Sequence, residues 1–167
     1  GVLQRSHLVG KGYHPDALIM TATPIPRTLA LSVYGDLDVS VIDELPAGRR
    51  PVETRWYGEG QRRVANDLVL RELRAGRQTY VVAPLVEGSA EDDARSAVML
   101  AARLRRDVFQ DARVGLLHGR LNRAEKDLVM RDFLRGDIQV LVATTIVEVG
   151  IDVPNATVMM IEHADRY

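Results

Sequence analysis

The chain contains no cysteine, which excludes disulfides, thiolate zinc sites and cysteine nucleophiles. Aromatic residues are scarce: two Phe, five Tyr and one Trp leave little material for a base-stacking platform. Neither sign of charge dominates. Lys and Arg number 22 against 23 Asp and Glu, a formal net charge of −1, so there is no bulk positive field to draw the chain onto nucleic acid. No run of about 18 apolar residues reads as a membrane-spanning helix, and no basic-then-apolar leader reads as a secretion signal. Internal repeats and low-complexity stretches are also lacking. What remains is 167 residues, 46% hydrophobic and 27% charged. That suffices for one good core or one and a half small domains, with roughly two thirds of the unfolded surface buried. Composition implies a soluble globular protein of a reducing compartment.

Apolar runs of strand length recur at Ala17–Met20, Val39–Ile42, Tyr80–Ala83, Val114–Leu117, Val140–Ala143 and Thr157–Ile161. Runs that are apolar at every position suit strands covered on both faces of a parallel sheet. Between them the period changes to that of a helix. Residues 58–75 place Val64, Leu68, Val69 and Leu73 on one face, with Gly76 at a C-cap position. Ser89-Ala90-Glu91-Asp92 has the form of a capping box ahead of Ala94, Ala97, Val98, Ala101, Leu104 and Val108. Asn122-Arg123-Ala124-Glu125 opens a third helix through Leu128, Val129 and Phe133, stopped by Gly136. Alternating strands and helices predict an α/β fold with a parallel sheet flanked by helices and right-handed crossovers.

Leu45–Val52 combines two prolines with a glycine and reads as a linker, because each proline biases the preceding residue toward extended backbone. The expected organisation is the end of one sheet domain in residues 1–45, a linker at 46–51, and a more complete domain over 52–167. Gly1 in place of Met, and a last residue Tyr167 without a polar tail, suggest that both ends are cut from a longer protein.

In open parallel sheets, ligands gather at the carboxyl ends of the strands. Three strand exits are polar. Met20 is followed by Thr21-Ala22-Thr23-Pro24, Leu117 by His118-Gly119-Arg120, and Ala143 by Thr144-Thr145, with Glu148, Gly150 and Asp152 close behind. Hydroxyls, a glycine, a cation and acids on one rim can hold phosphates. Singly, each has a plainer reading: a Thr-Pro pair that ends a strand, a turn histidine, a capping Asp. Their order and spacing say more than any one of them. Gly10-Lys11-Gly12 fails as a phosphate loop, since a glycine six positions before the lysine and a Ser or Thr after it are both missing. Asp43-Glu44 has the form of a metal-binding acid pair but reads as the approach to the linker. Arg103, Arg105 and Arg106 read as the solvated side of a helix in preference to a DNA-facing patch.

The stretches LIMTATPIPRTLALSVYGDLDVSVIDELPAGRRPV and VGLLHGRL…VATTIVEVGIDVPNATVMMIEHADRY resemble the RecG-type branch-migrating DNA helicases of superfamily 2, along essentially the whole chain. TATPIPRTL is shared with the transcription–repair coupling translocases of the Mfd type, whereas YGDLDVSVIDELPAGR is similar to the RecG type. The resemblance implies two RecA-like domains that clamp ATP and move on duplex DNA. Here they would be the C-terminal part of the first domain and most of the second.

By the same resemblance, Thr21, Ala22, Thr23 and Pro24 couple the ATP site to DNA. His118, Gly119 and Arg120, with Thr144 and Thr145, lie along the DNA backbone. Glu148, Gly150 and Asp152 face the nucleotide. No residue is expected to bind metal; ATP and Mg2+ are implied as cofactors whose main ligands lie outside the chain. So do the phosphate loop, the DExH acids and the arginine finger, and the segment alone is expected to neither hydrolyse ATP nor unwind DNA. The implied partners are branched or duplex DNA, the remainder of the first RecA-like domain and an N-terminal wedge, with no membrane. The implied location is the bacterial cytoplasm, at the nucleoid. Three alternatives stay open: an Mfd-type translocase, a non-catalytic RecA-like binding module, and an unrelated α/β enzyme in which Thr21, His118 and Asp152 do not converge.

Overall fold

A computed structural model describes residues 20, 40–44, 51–84, 89–144 and 152–166. The chain separates into two compact units, Gly1–Val52 and Glu53–Tyr167. In the first unit the described residues Met20, Ser40–Glu44 and Pro51–Val52 are exposed and belong to no regular element. The strand expected at Val39–Ile42 is therefore not formed over Ser40–Ile42; a strand needs a neighbour for its ladder, and no described strand adjoins this one. The run at Ala17–Met20 lies, apart from Met20, outside the described residues.

The second unit carries the fold. Its helices are α1 (Arg62–Arg74), α2 (Ala90–Asp107) and α3 (Arg123–Leu134), and its strands are β1 (Gln78–Val82), β2 (Val114–Leu117), β3 (Val140–Ala143) and β4 (Ala156–Ile161). The strands form one parallel sheet in the order β2-β3-β1-β4. This is the expected α/β class, a RecA-like parallel sheet flanked by helices.

Local chemistry sets the helix ends. Ser89 Oγ accepts from the Glu91 N–H at 3.2 Å while the Ser89 N–H donates to Asp92 Oδ2 at 3.0 Å. Asn122 and Glu125 exchange the same reciprocal bonds at 2.9 and 2.8 Å. Both expected capping boxes are present, and each satisfies helix-end donors that would otherwise be orphaned. Past the ends of α1 and α3, Gly76 and Gly136 take φ of 77° and 78°, the left-handed conformation that a side chain disfavours.

Each sheet face has its own core. On one face α1 and α2 pack Val69, Ala97, Ala101 and Leu104 against Val81, Val140 and Val142. On the other, Phe133 of α3 packs against Tyr80, Leu117 and Leu141, with the Tyr80 and Phe133 rings edge to face at 4.8 Å. Each fully buried Val, Leu or Phe stabilises by about 1.5–3 kcal/mol.

Three details differ from expectation. Val64 points outward on α1, whose buried line runs instead through Val69 with Leu70 and Leu73 against the core. β1 starts two residues earlier than its apolar run, because the Gln78 amide is satisfied inside. It donates to the carbonyls of Phe133 (2.5 Å) and Ile138 (2.8 Å) and accepts from Asn155 at 3.1 Å. And β4, apolar apart from Thr157, is not covered on both faces. It ends the described sheet, so Val158 and Met160 pack inward while Met159 and Ile161 are exposed.

Candidate nucleic-acid interface

β2 and β3 are neighbours in register, Leu117 opposite Ala143. The residue after each strand is therefore His118 on one side and Thr144 on the other. The Thr144 N–H donates to the Leu117 carbonyl at 3.2 Å, which extends the ladder one step and seats Thr144 as a buried residue at the carboxyl edge. His118 is half-buried, and its Nδ1 is shielded from solvent with no hydrogen-bond partner among the described residues.

The backbone then turns sharply. The His118 carbonyl accepts from the Leu121 N–H at 3.2 Å, which leaves Gly119 and Arg120 exposed at the tip. Asn122 opens α3 directly afterwards, and Lys126 in its first turns reaches back to donate to the Gly119 carbonyl at 3.2 Å. Arg120 Nη1 donates to Glu91 Oε1 at 2.8 Å. The tip thus combines a glycine that exposes backbone, a guanidinium, an ammonium and the positive end of a helix. That set favours an anion with several oxygens.

Of the residues singled out in the sequence, the fold brings His118, Gly119, Arg120 and Thr144 to adjacent strand exits. Asp152 is exposed at the lead-in to β4. Thr21, Ala22, Thr23, Pro24, Thr145, Glu148 and Gly150 lie outside the described residues. No group of three His, Asp or Glu side chains able to hold a metal converges among the described residues, so no step is assigned to magnesium on this segment.

One cluster was not foreseen. Glu162, at the exit of β4, is 6% exposed and takes both guanidinium nitrogens of Arg62, at 2.8 and 2.5 Å, with Arg103 3.6 Å away. Arg62 and Glu162 are 100 positions apart, beyond the reach of any local pattern. The only hint is an acid directly after an apolar strand. Arg103 is thereby spent on structure. Of its neighbours, Arg105 donates to the Val114 carbonyl at 2.6 Å, and Arg106 pairs at the surface with Asp107. All three arginines nonetheless lie on the exposed side of α2, as the solvated-face reading expected.

A second structural pair joins α1 to the strap before β1. Glu72 is ion-paired with Arg77 and accepts from the Thr157 hydroxyl at 2.7 Å. The Arg77 hydrogen bond, then that of Thr157, holds the Glu72 carboxyl down at about 2, from an ordinary 4.5.

A parallel sheet flanked by helices, with hydroxyl, glycine and cation at adjacent carboxyl ends, defines an α/β protein with a polar strand-exit edge, the edge at which open parallel sheets gather ligands. Within that class the chain belongs to the family of the helicase conserved C-terminal domain, which it matches over residues 61–166. The likeness to RecG-type helicases read from the sequence holds along its whole length. The chain is 51% identical over 168 residues to the ATP-dependent DNA helicase RecG of Bacillus subtilis, covering all of this chain and 24% of that protein. It is 48% identical over 167 residues to the RecG of Streptococcus pneumoniae (25% of that protein), and 51% identical over 170 residues to that of Aquifex aeolicus (21%). The chain thus spans about a quarter of the length of these relatives. Among solved structures, the C-terminal domain of S. cerevisiae Dbp5 overlaps 57% of this chain and 49% of its own, at 26% identity and a TM-score of 0.39. No helix among the described residues is long and apolar enough to cross a membrane.

Proposed function

We propose that the chain is a segment of an ATP-driven DNA helicase of the RecG type, which remodels branched DNA such as stalled forks and four-way junctions. In this reading, residues 1–45 close the first RecA-like domain, 46–51 link, and 52–167 form most of the second. The observation that carries the proposal is the juxtaposition of His118, Gly119, Arg120 and Thr144 at the exits of β2 and β3, in a chain of the helicase C-terminal family. The names of the relatives at about half identity favour a RecG-type helicase over an Mfd-type translocase or a non-catalytic module.

The chemistry at that edge is positioning. Arg120 offers a fork of N–H groups to a backbone phosphate, and Gly119 lets the strand approach without a side chain between. Thr144 and Thr145 would add hydroxyl donors; the Thr144 N–H is already given to the Leu117 carbonyl. Because the contacts are few and the net charge is near zero, affinity stays low enough for the protein to release and step. Thr21-Ala22-Thr23-Pro24 would pass the state of the ATP site to this edge, and Glu148, Gly150 and Asp152 would face the nucleotide. Bound ATP with Mg2+ supplies the driving phosphoryl transfer. The partners in the intact protein are duplex or branched DNA, the rest of the first RecA-like domain and an N-terminal wedge, in the bacterial cytoplasm at the nucleoid.

The test is ATP hydrolysis by the full-length protein with and without forked DNA. Stimulation by DNA is expected, and Arg120→Gln should raise the DNA concentration for half-maximal stimulation about fivefold, the loss of one exposed charge-assisted contact. Hydrolysis indifferent to DNA in the full-length protein would sink the proposal.

A further inference from the structure

Arg120 does not stand alone at the tip of the β2 exit. Its guanidinium is bonded to Glu91, 29 positions earlier on α2. Glu91 is fixed there by its helix, because its own N–H is held by Ser89 Oγ and the cap is closed by Asp92. An acid in the first turn is also favoured by the helix macrodipole. That reason serves Asp92 and Asp93 equally well, and it does not require Glu91 to reach the β2 exit. Both members of the pair are exposed, Arg120 by 56% and Glu91 by 73%. An ion pair this exposed is weak, screened by salt and readily exchanged for another anion.

We propose that Glu91 is a displaceable occupant of Arg120, competing with the phosphodiester backbone for its guanidinium and thereby keeping the DNA contact short-lived. The inference rests on the reading of Arg120 as a phosphate contact. An incoming phosphate either takes the guanidinium from the carboxylate or shares it with a like charge a few ångströms away. Either way the contact is weaker than that of an unpaired arginine. On release the carboxylate returns, so Arg120 passes between two anionic partners and is not left bare. A motor that lets go of each phosphate gains from such a partner, because tight backbone contacts slow every step.

The experiment uses the full-length protein and a fluorescein-labelled duplex DNA, with affinity followed by anisotropy across a salt series. Glu91→Gln is expected to bind about two- to fivefold tighter at low salt, with the advantage fading as salt rises. In an Arg120→Gln background the same change should have no effect. Asp137→Asn is the control: it removes one negative charge from an exposed pair with Arg113, before the amino end of β3. Equal tightening by Asp137→Asn, or persistence of the Glu91→Gln gain without Arg120, would reduce the effect to net charge and overturn the inference. So would unchanged or weaker binding by Glu91→Gln where Arg120→Gln weakens it. If Arg120→Gln itself leaves affinity unchanged, the phosphate reading of Arg120 fails, and the inference with it.

Discussion

Glu162 sits buried at the end of β4, the last strand of the described sheet, with two arginines turned toward it, one from the start of α1 and one from α2. Its neutral isostere would keep the shape but lose the charge, leaving a guanidinium half out of water without its counter-ion. Glu162→Gln is therefore expected to lower stability by about 2–3 kcal/mol in urea unfolding. Glu72 behaves differently because its partners lie near the surface. Its carboxyl is held at about 2 against an ordinary 4.5, so its contribution is complete above 4.5 and is lost as the pH falls toward 2. Melting temperatures of the wild type and Glu72→Gln should differ at neutral pH and converge across that acid window. A gap that stays constant down to pH 2 would show that the ion pair is not the cause. Neither group could be assigned a partner from the sequence: Glu72 pairs across a turn and Glu162 across most of the unit, and only folding brings them together.

At the scale of elements, the capping boxes at Ser89 and Asn122 were legible because a helix start is a local event, set by four consecutive residues. The strands were legible as apolar runs, and β2 and β3 have the expected bounds. Legibility ended where neighbours decide. Gln78 joins β1 only because carbonyls from α3 and the strap before β3 receive its amide, and β4 is half-covered because of its place in the strand order. Gly115 shows the same dependence. A Cβ there would lie 2.7 Å from Ile138 Cδ1 and 2.9 Å from its Cγ2, so the glycine is what lets Ile138 lie against β2. Gly115→Ala should cost about 1–3 kcal/mol, the range for overpacking. Trimming the neighbour in Gly115→Ala/Ile138→Val should recover part of the loss. A double variant no more stable than the single one would place the clash at Cγ2, which valine keeps.

Over these 167 residues, a net charge near zero and a few cations at one sheet edge belong together. Binding through few phosphates predicts a shallow dependence on salt, and Arg120→Gln should reduce the slope of log affinity against log salt by about 1 while weakening all DNA sequences alike. The half of the site at the β2 and β3 exits could be read from the order of apolar runs and polar exits, since a parallel sheet puts those exits on one edge. Its partnership with Glu91 could not, because it depends on where the start of α2 lies relative to the exit of β2, the strand α2 leads into. The central claim, that this edge faces the DNA backbone, is tested most directly by photo-crosslinking. Benzoylphenylalanine replaces Arg123, which is 96% exposed beside the β2 exit, or Asp137, which leads into the amino end of β3, in the full-length protein on forked DNA. The account predicts a DNA adduct from position 123 and none from position 137; an adduct from 137 with none from 123 would contradict it.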